Sequence, residues 1–175
     1  MAINKKKVAI IIFISLFAIY FIYNFPQKVS YSLDGINFRI GEETLQEYVS
    51  VNLHGKLRRR AFQGKVFTGS LSVMDKEFSN IKLKFDGNNS GMLDYFDDKK
   101  QEYSSFGTIY INEDMSKVAI CLLESDCNHV GGLEWNSKDG LMISAPVANR
   151  EQAVILANKL LAKKLKAMEF SEKLE

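Results

Sequence analysis

Only two cysteines, two prolines, two histidines and one tryptophan occur among the 175 residues. Two thiols cannot build a disulfide scaffold or the paired CxxC knuckles of a zinc module. With two prolines and 11 glycines the chain is neither collagen-like nor low-complexity. Charge of one sign is also missing: 23 basic against 21 acidic residues leave a formal +2. The first 27 residues hold no acid and three of the bases, Lys5, Lys6 and Lys7. The remainder is therefore close to neutral and lacks the concentrated positive field that holds a phosphate backbone, so no nucleic-acid partner is expected. The chain lacks a GxSxG elbow, an HExxH pair and any Walker-type or dinucleotide glycine loop. No catalytic residue and no cofactor are assigned, and the chain is not expected to be an enzyme.

What is present begins with a long apolar run. Val8 to Phe25 is 18 residues without a charge, with Ser15 and Asn24 its clearly polar members. As a helix it extends about 27 Å, close to the hydrocarbon thickness of a bilayer. Tyr20 and Tyr23 fall near one end, where amphipathic rings prefer the headgroup level, and Pro26 discourages further helix. Lys5 to Lys7 abut the other end and favour its retention in the cytoplasm. The reading is a signal-anchor: residues 1–7 a cytoplasmic basic N-terminus, 8–25 a transmembrane anchor contacting membrane lipid, and the remainder extracytoplasmic. A cleaved signal peptide leading to a secreted β-domain protein is the alternative, disfavoured because bulky Tyr20, Phe21, Ile22, Tyr23 and Phe25 stand where a peptidase needs small side chains.

Residues 28–147 read as an extracytoplasmic antiparallel β region. Val29 to Leu33 and Ile36 to Ile40 flank Asp34-Gly35, a pair that accepts the positive φ of a two-residue hairpin. Within residues 44–57 the pattern fits either helix or strand. The β-branched alternation of Val49, Val51 and Leu53 favours strand. Alternating runs follow at Lys65 to Val73, Asn80 to Phe85, Met92 to Phe96, Ser105 to Ile111, Lys117 to Leu123 and Leu141 to Ala145, separated by turn-type clusters. Short connections favour sequential hairpins. Residues 148–170 then predict a helix capped by Asn149, with Ala153, Val154, Leu156, Ala157, Leu160, Leu161 and Leu165 on one half of its wheel. Lys164 interrupts that half. A stripe this wide packs on an open sheet face. The expected fold is α+β: a mainly antiparallel β meander, as open sheet, sandwich or partial barrel, with one C-terminal amphipathic helix, preceded by a single transmembrane helix.

Three local features carry candidate chemistry. Cys121 and Cys127, with five residues between them and in an oxidising compartment, are a disulfide candidate. His129 adds a third soft ligand without a recognised fourth. Arg58, Arg59 and Arg60 form the dense basic run, suited to anionic lipid or an anionic polymer, or else to keeping a strand edge from pairing. Asp86 to Asp97 places oxygen side chains Asp86, Asn88, Ser90, Asp94 and Asp97 at loop positions 1, 3, 5, 9 and 12 with Gly91 at 6. Those 12 residues resemble an EF-hand calcium loop, with Asp97 in place of the usual Glu and strand-like flanks in place of helices. The competing reading is a hairpin turn rich in Asp, Asn, Ser and Gly. The expectation is a single-pass, membrane-anchored extracytoplasmic protein, a non-catalytic binding or interaction module whose partner is an envelope protein or anionic polymer. A bacterial cell envelope is the simplest setting, and an envelope enzyme acting on lipid or glycan is the rival.

Overall fold

The computed structural model describes residues 5–60, 64–97, 101–125, 133–167 and 174. Helix α1 (Lys5–Asn24) is followed by strands β1 (Gln27–Arg39), β2 (Glu42–Arg60), β3 (Gly64–Val73), β4 (Lys76–Phe85), β5 (Ser90–Asp97), β6 (Glu102–Ile111) and β7 (Val118–Leu122). Short β8 (Glu124–Ser125) and β9 (Leu133–Glu134), then β10 (Leu141–Ala145) and α2 (Arg150–Ala167), complete the chain. The α+β, antiparallel character expected from the sequence holds, and the ambiguous residues 44–57 are strand. The order across the main sheet is β4-β3-β2-β1-β10-β7-β6-β5. Its two edges, β4 and β5, are consecutive in sequence and joined by a turn at residues 86–89, so the eight-stranded sheet curls until it is nearly closed.

Two expectations are corrected. The hairpin does not turn at Asp34-Gly35. β1 runs straight through both residues, which pair with Ser50 and Val49, and reverses at Ile40-Gly41, where Gly41 has φ +72°. Nor are all hairpins sequential, because β10 inserts between β7 and β1. Its residues Met142 to Ala145 are buried on both faces, which suits a central strand and would leave apolar surface bare at an edge.

Alternation along the strands separates two clusters. Val51, Leu53, Leu57, Phe67, Leu71, Leu93, Ile109 and Ile120 turn inward and are fully buried, so the interior of the curled sheet is a side-chain core. Ile36, Phe38, Ile40, Tyr110, Ala119, Cys121 and Met142 turn outward beneath Ala153, Ala157, Leu161 and Leu165 of α2. The helix starts at Asn149, whose Oδ1 accepts from the Gln152 N–H at 3.0 Å, while Gln152 Oε1 accepts from the Ala148 N–H at 3.0 Å. Helix α1 lies apart from both clusters. Among the described residues no helix is long and apolar enough to cross a membrane. The expected span from Val8 to Phe25 falls partly outside them, at the side chains of Val8, Ala9, Ile19, Ile22 and Tyr23, so the span itself is not shown.

Candidate functional site

The seam between β4 and β5 carries a groove with a polar lining. Asp86 closes the connecting turn by accepting, through Oδ1, the N–H groups of Asn88 at 2.8 Å and Ser90 at 2.9 Å. Asn89 takes the left-handed φ of 58° that its short amide tolerates. Partial burial of Asp86 opposes ionisation, but the Ser90 and Asn88 donors and the nearby Lys163 ammonium outweigh it and hold the carboxyl below its usual range. Lys163 donates to the Gly87 carbonyl at 3.2 Å and ties the last turns of α2 to this hairpin.

One residue further along α2, the Lys164 ammonium stands 5.5 Å from the ring centre of Tyr110 and 5.3 Å from that of Trp135. This explains how a lysine can sit in the apolar half of the wheel: its head rests on aromatic faces. Burial pushes the Tyr110 phenol well above its ordinary pKa, with the Asp86 charge acting the same way, so it stays a neutral hydroxyl. Between these groups lies a groove of about 420 Å³, lined by Lys84, Asp86, Asn88, Ser90, Met92, Thr108, Tyr110 and Lys164. Two ammonium groups and several hydroxyls suit hydrogen bonding to a polar or anionic group. His54 does not line it. Sequence reading missed Tyr110, Thr108 and Lys164 as neighbours. The interrupting Lys164 was the signal that could have found them.

The calcium-loop residues are employed otherwise. Asp86 closes the turn, and Asp94 on β5 accepts from the Ser105 hydroxyl at 2.6 Å across the β5–β6 ladder. The Asp97 side chain lies outside the described residues. Among the described residues no three His, Cys, Asp or Glu side chains gather as a metal site would require. The hairpin-turn reading accounts for Asp86, Asn88 and Ser90.

The arginine run does not act as one unit. Arg58 is exposed on the outer face of β2, whereas Arg59 follows the inward parity of Leu57 and donates to the Glu113 carbonyl oxygen at 3.0 Å. The Arg60 side chain lies outside the described residues. Beside Arg59, the buried Lys65 ammonium lies 2.9 Å from the Glu113 carboxylate. That ion pair is the main cause of a lowered Glu113 pKa, against the opposing effect of partial burial. Cys121 is a buried free thiol under α2, its pKa pushed up to about 12 by burial, while Cys127 and His129 lie outside the described residues.

One pair has the outline of a nucleophile and base. Ser30 Oγ and His54 Nδ1 are 3.1 Å apart as direct cross-strand partners on β1 and β2. They lie exposed on a sheet face where ladder bonds occupy the backbone N–H groups that would otherwise stabilise an oxyanion. The arrangement does what a polar cross-strand pair does. No family model matches this chain, and no curated protein or solved structure matches it either.

Proposed function

We propose that the protein is a single-pass, membrane-anchored extracytoplasmic module of a bacterial cell envelope, with the N-terminus cytoplasmic, which binds a partner without catalysing a reaction. The carrying observation is the surface of α1. Its described apolar side chains at consecutive positions, from Ile10 to Ile14 and at Leu16, Phe17, Tyr20 and Phe21, are between 54% (Ile12) and 72% (Phe13) exposed. Consecutive helical positions point in all directions, so this surface has no polar side to give to water. Leaving it in water costs on the order of 10 kcal/mol, a penalty that hydrocarbon removes. Only Phe25 and Pro26 separate α1 from β1, which would hold the β domain against the bilayer.

The non-catalytic reading rests on the filled interior. Phe67, Leu53, Leu57 and Ile109 occupy the volume where a ligand-holding barrel keeps its chamber, which leaves recognition to the outer surface, including the seam groove. Alkaline carbonate extraction tests the anchor: the full chain should stay with the membrane pellet and float with lipid. Recovery in the supernatant contradicts it.

A further inference from the structure

Strand register assembles a patch that no run of the sequence displays. On the outer face, Lys28 of β1 is the direct partner of Lys56 on β2, Lys56 of Thr68 on β3, and Thr68 of Lys82 on β4. Two residues along the strands, Arg58 is the partner of Val66 and Val66 of Lys84. All five cations are exposed. At strand spacings of about 4.8 Å and about 7 Å between same-face neighbours, they fall within an area about 15 Å by 7 Å. The ion pairs among the described residues are Arg39–Glu124 and Lys65–Glu113, and neither uses any of the five. Lysines directly opposite on adjacent strands repel each other, so the Lys28–Lys56 pair is unfavourable until an anion lies over it.

The patch is placed at one end of the four-strand face. It adjoins the exit of α1: Phe25, Pro26, Lys28, Gly55, Lys56 and Thr68 surround one recess of about 540 Å³. The opposite end of the same strands carries Glu42, Glu43, Glu47, Asp75 and Glu77, all exposed. These strands are thus polarised end to end, basic beside the helix and acidic at the far hairpins. Helix α2 covers the other side of the barrel, over β1, β10, β7 and β6, and leaves this face bare.

We propose that Lys28, Lys56, Arg58, Lys82 and Lys84 rest on the anionic phospholipid headgroups of the bilayer that holds α1. The proposal depends on α1 being the anchor. That anchor keeps the patch within a screening length, about 8 to 10 Å, of the headgroups, where each cation gains from the negative surface potential. The acidic far end, repelled by the same surface, points away. The contact fixes how the domain tilts on its anchor and which parts of it, α2 among them, face a partner.

The test uses the full chain in bilayers of phosphatidylcholine alone and of phosphatidylcholine with roughly one-third phosphatidylglycerol. Acetylation of lysines by a water-soluble reagent, read by mass spectrometry, is compared for Lys28, Lys56 and Lys82 against Lys138 and Lys159, which are exposed elsewhere. The patch lysines should react about fivefold more slowly in the anionic bilayer, while the other two are unchanged. The protection should vanish at about 1 M salt, where the screening length shrinks to about 3 Å. Lys28→Glu with Lys56→Glu should abolish the protection of Lys82. Equal reactivity in the two bilayers overturns the proposal, as does protection that appears only on adding soluble polyphosphate. Incorporation into the neutral bilayer reads α1 alone, so loss of the anchor would be seen separately from failure of the patch.

Discussion

Gly35 and Ser144 are in backbone contact: a Cβ built on Gly35 would stand 2.5 Å from the Ser144 carbonyl oxygen and 2.8 Å from the Ala145 Cβ. The glycine is required by the approach of β10 to β1, and its backbone is ordinary strand. Gly35→Ala should therefore destabilise the fold by about 1 to 3 kcal/mol through overpacking. Gly87→Ala, at a turn with nothing within 4 Å of the added methyl, should change stability by less than about 0.5 kcal/mol. Thermal melts of the two variants in the same detergent compare them. Similar melting temperatures would reject the close approach.

The seating of α2 on the sheet is tested by Leu161, which is fully buried, against Ile155, which is 61% exposed on the same helix. Leu161→Ala should cost about 2 to 5 kcal/mol and Leu161→Asp more, because the second leaves a charge without a partner in the core. Ile155→Asp should be nearly neutral. The reverse order would mean that the helix presents its apolar side to lipid.

Acid should weaken the fold through Glu113. Its carboxyl, paired with the Lys65 ammonium, titrates below its ordinary range in the folded chain. A depressed folded pKa contributes stability that is complete above the unfolded value and is lost as the pH falls through the folded one. Stability measured by denaturant should thus be level above about pH 5 and decline below it, with Asp86 and Asp114, also lowered, acting in the same direction. Glu113→Gln should flatten part of that decline. An unchanged profile would place Glu113 outside the network.

Cys121, buried and with its thiol pKa raised to about 12, should resist alkylation at pH 7 in the folded protein. In urea without reductant it should react fully. Failure to react there would show it oxidised, as a bridge to Cys127 requires.

Much of the fold was legible because alternation is a local property. The strands at Lys65 to Val73 and Leu141 to Ala145 match β3 and β10 nearly residue for residue, and the Asn149 cap and the apolar side of α2 stand where the spacing put them. Asp34-Gly35 misled because its turn chemistry is real in isolation, while the force that keeps Gly35 in a strand comes from β10, more than a hundred residues later. The order of β10 between β7 and β1 is likewise a long-range choice, hinted at only by its lack of a polar face. The arginine run looked like a site because its members are adjacent, yet neighbours on a strand face opposite ways, and Arg59 turns inward. The basic patch was hidden for the complementary reason: Lys28, Lys56 and Lys82 are far apart in sequence and meet only through register.

The central claim is that α1 spans the membrane with the β domain outside, and protease added to intact spheroplasts that express the full chain tests it most directly. The account predicts that everything from Gln27 onward is degraded while the apolar segment from Val8 to Phe25 survives in the membrane. A chain fully protected until the spheroplasts are lysed would contradict it.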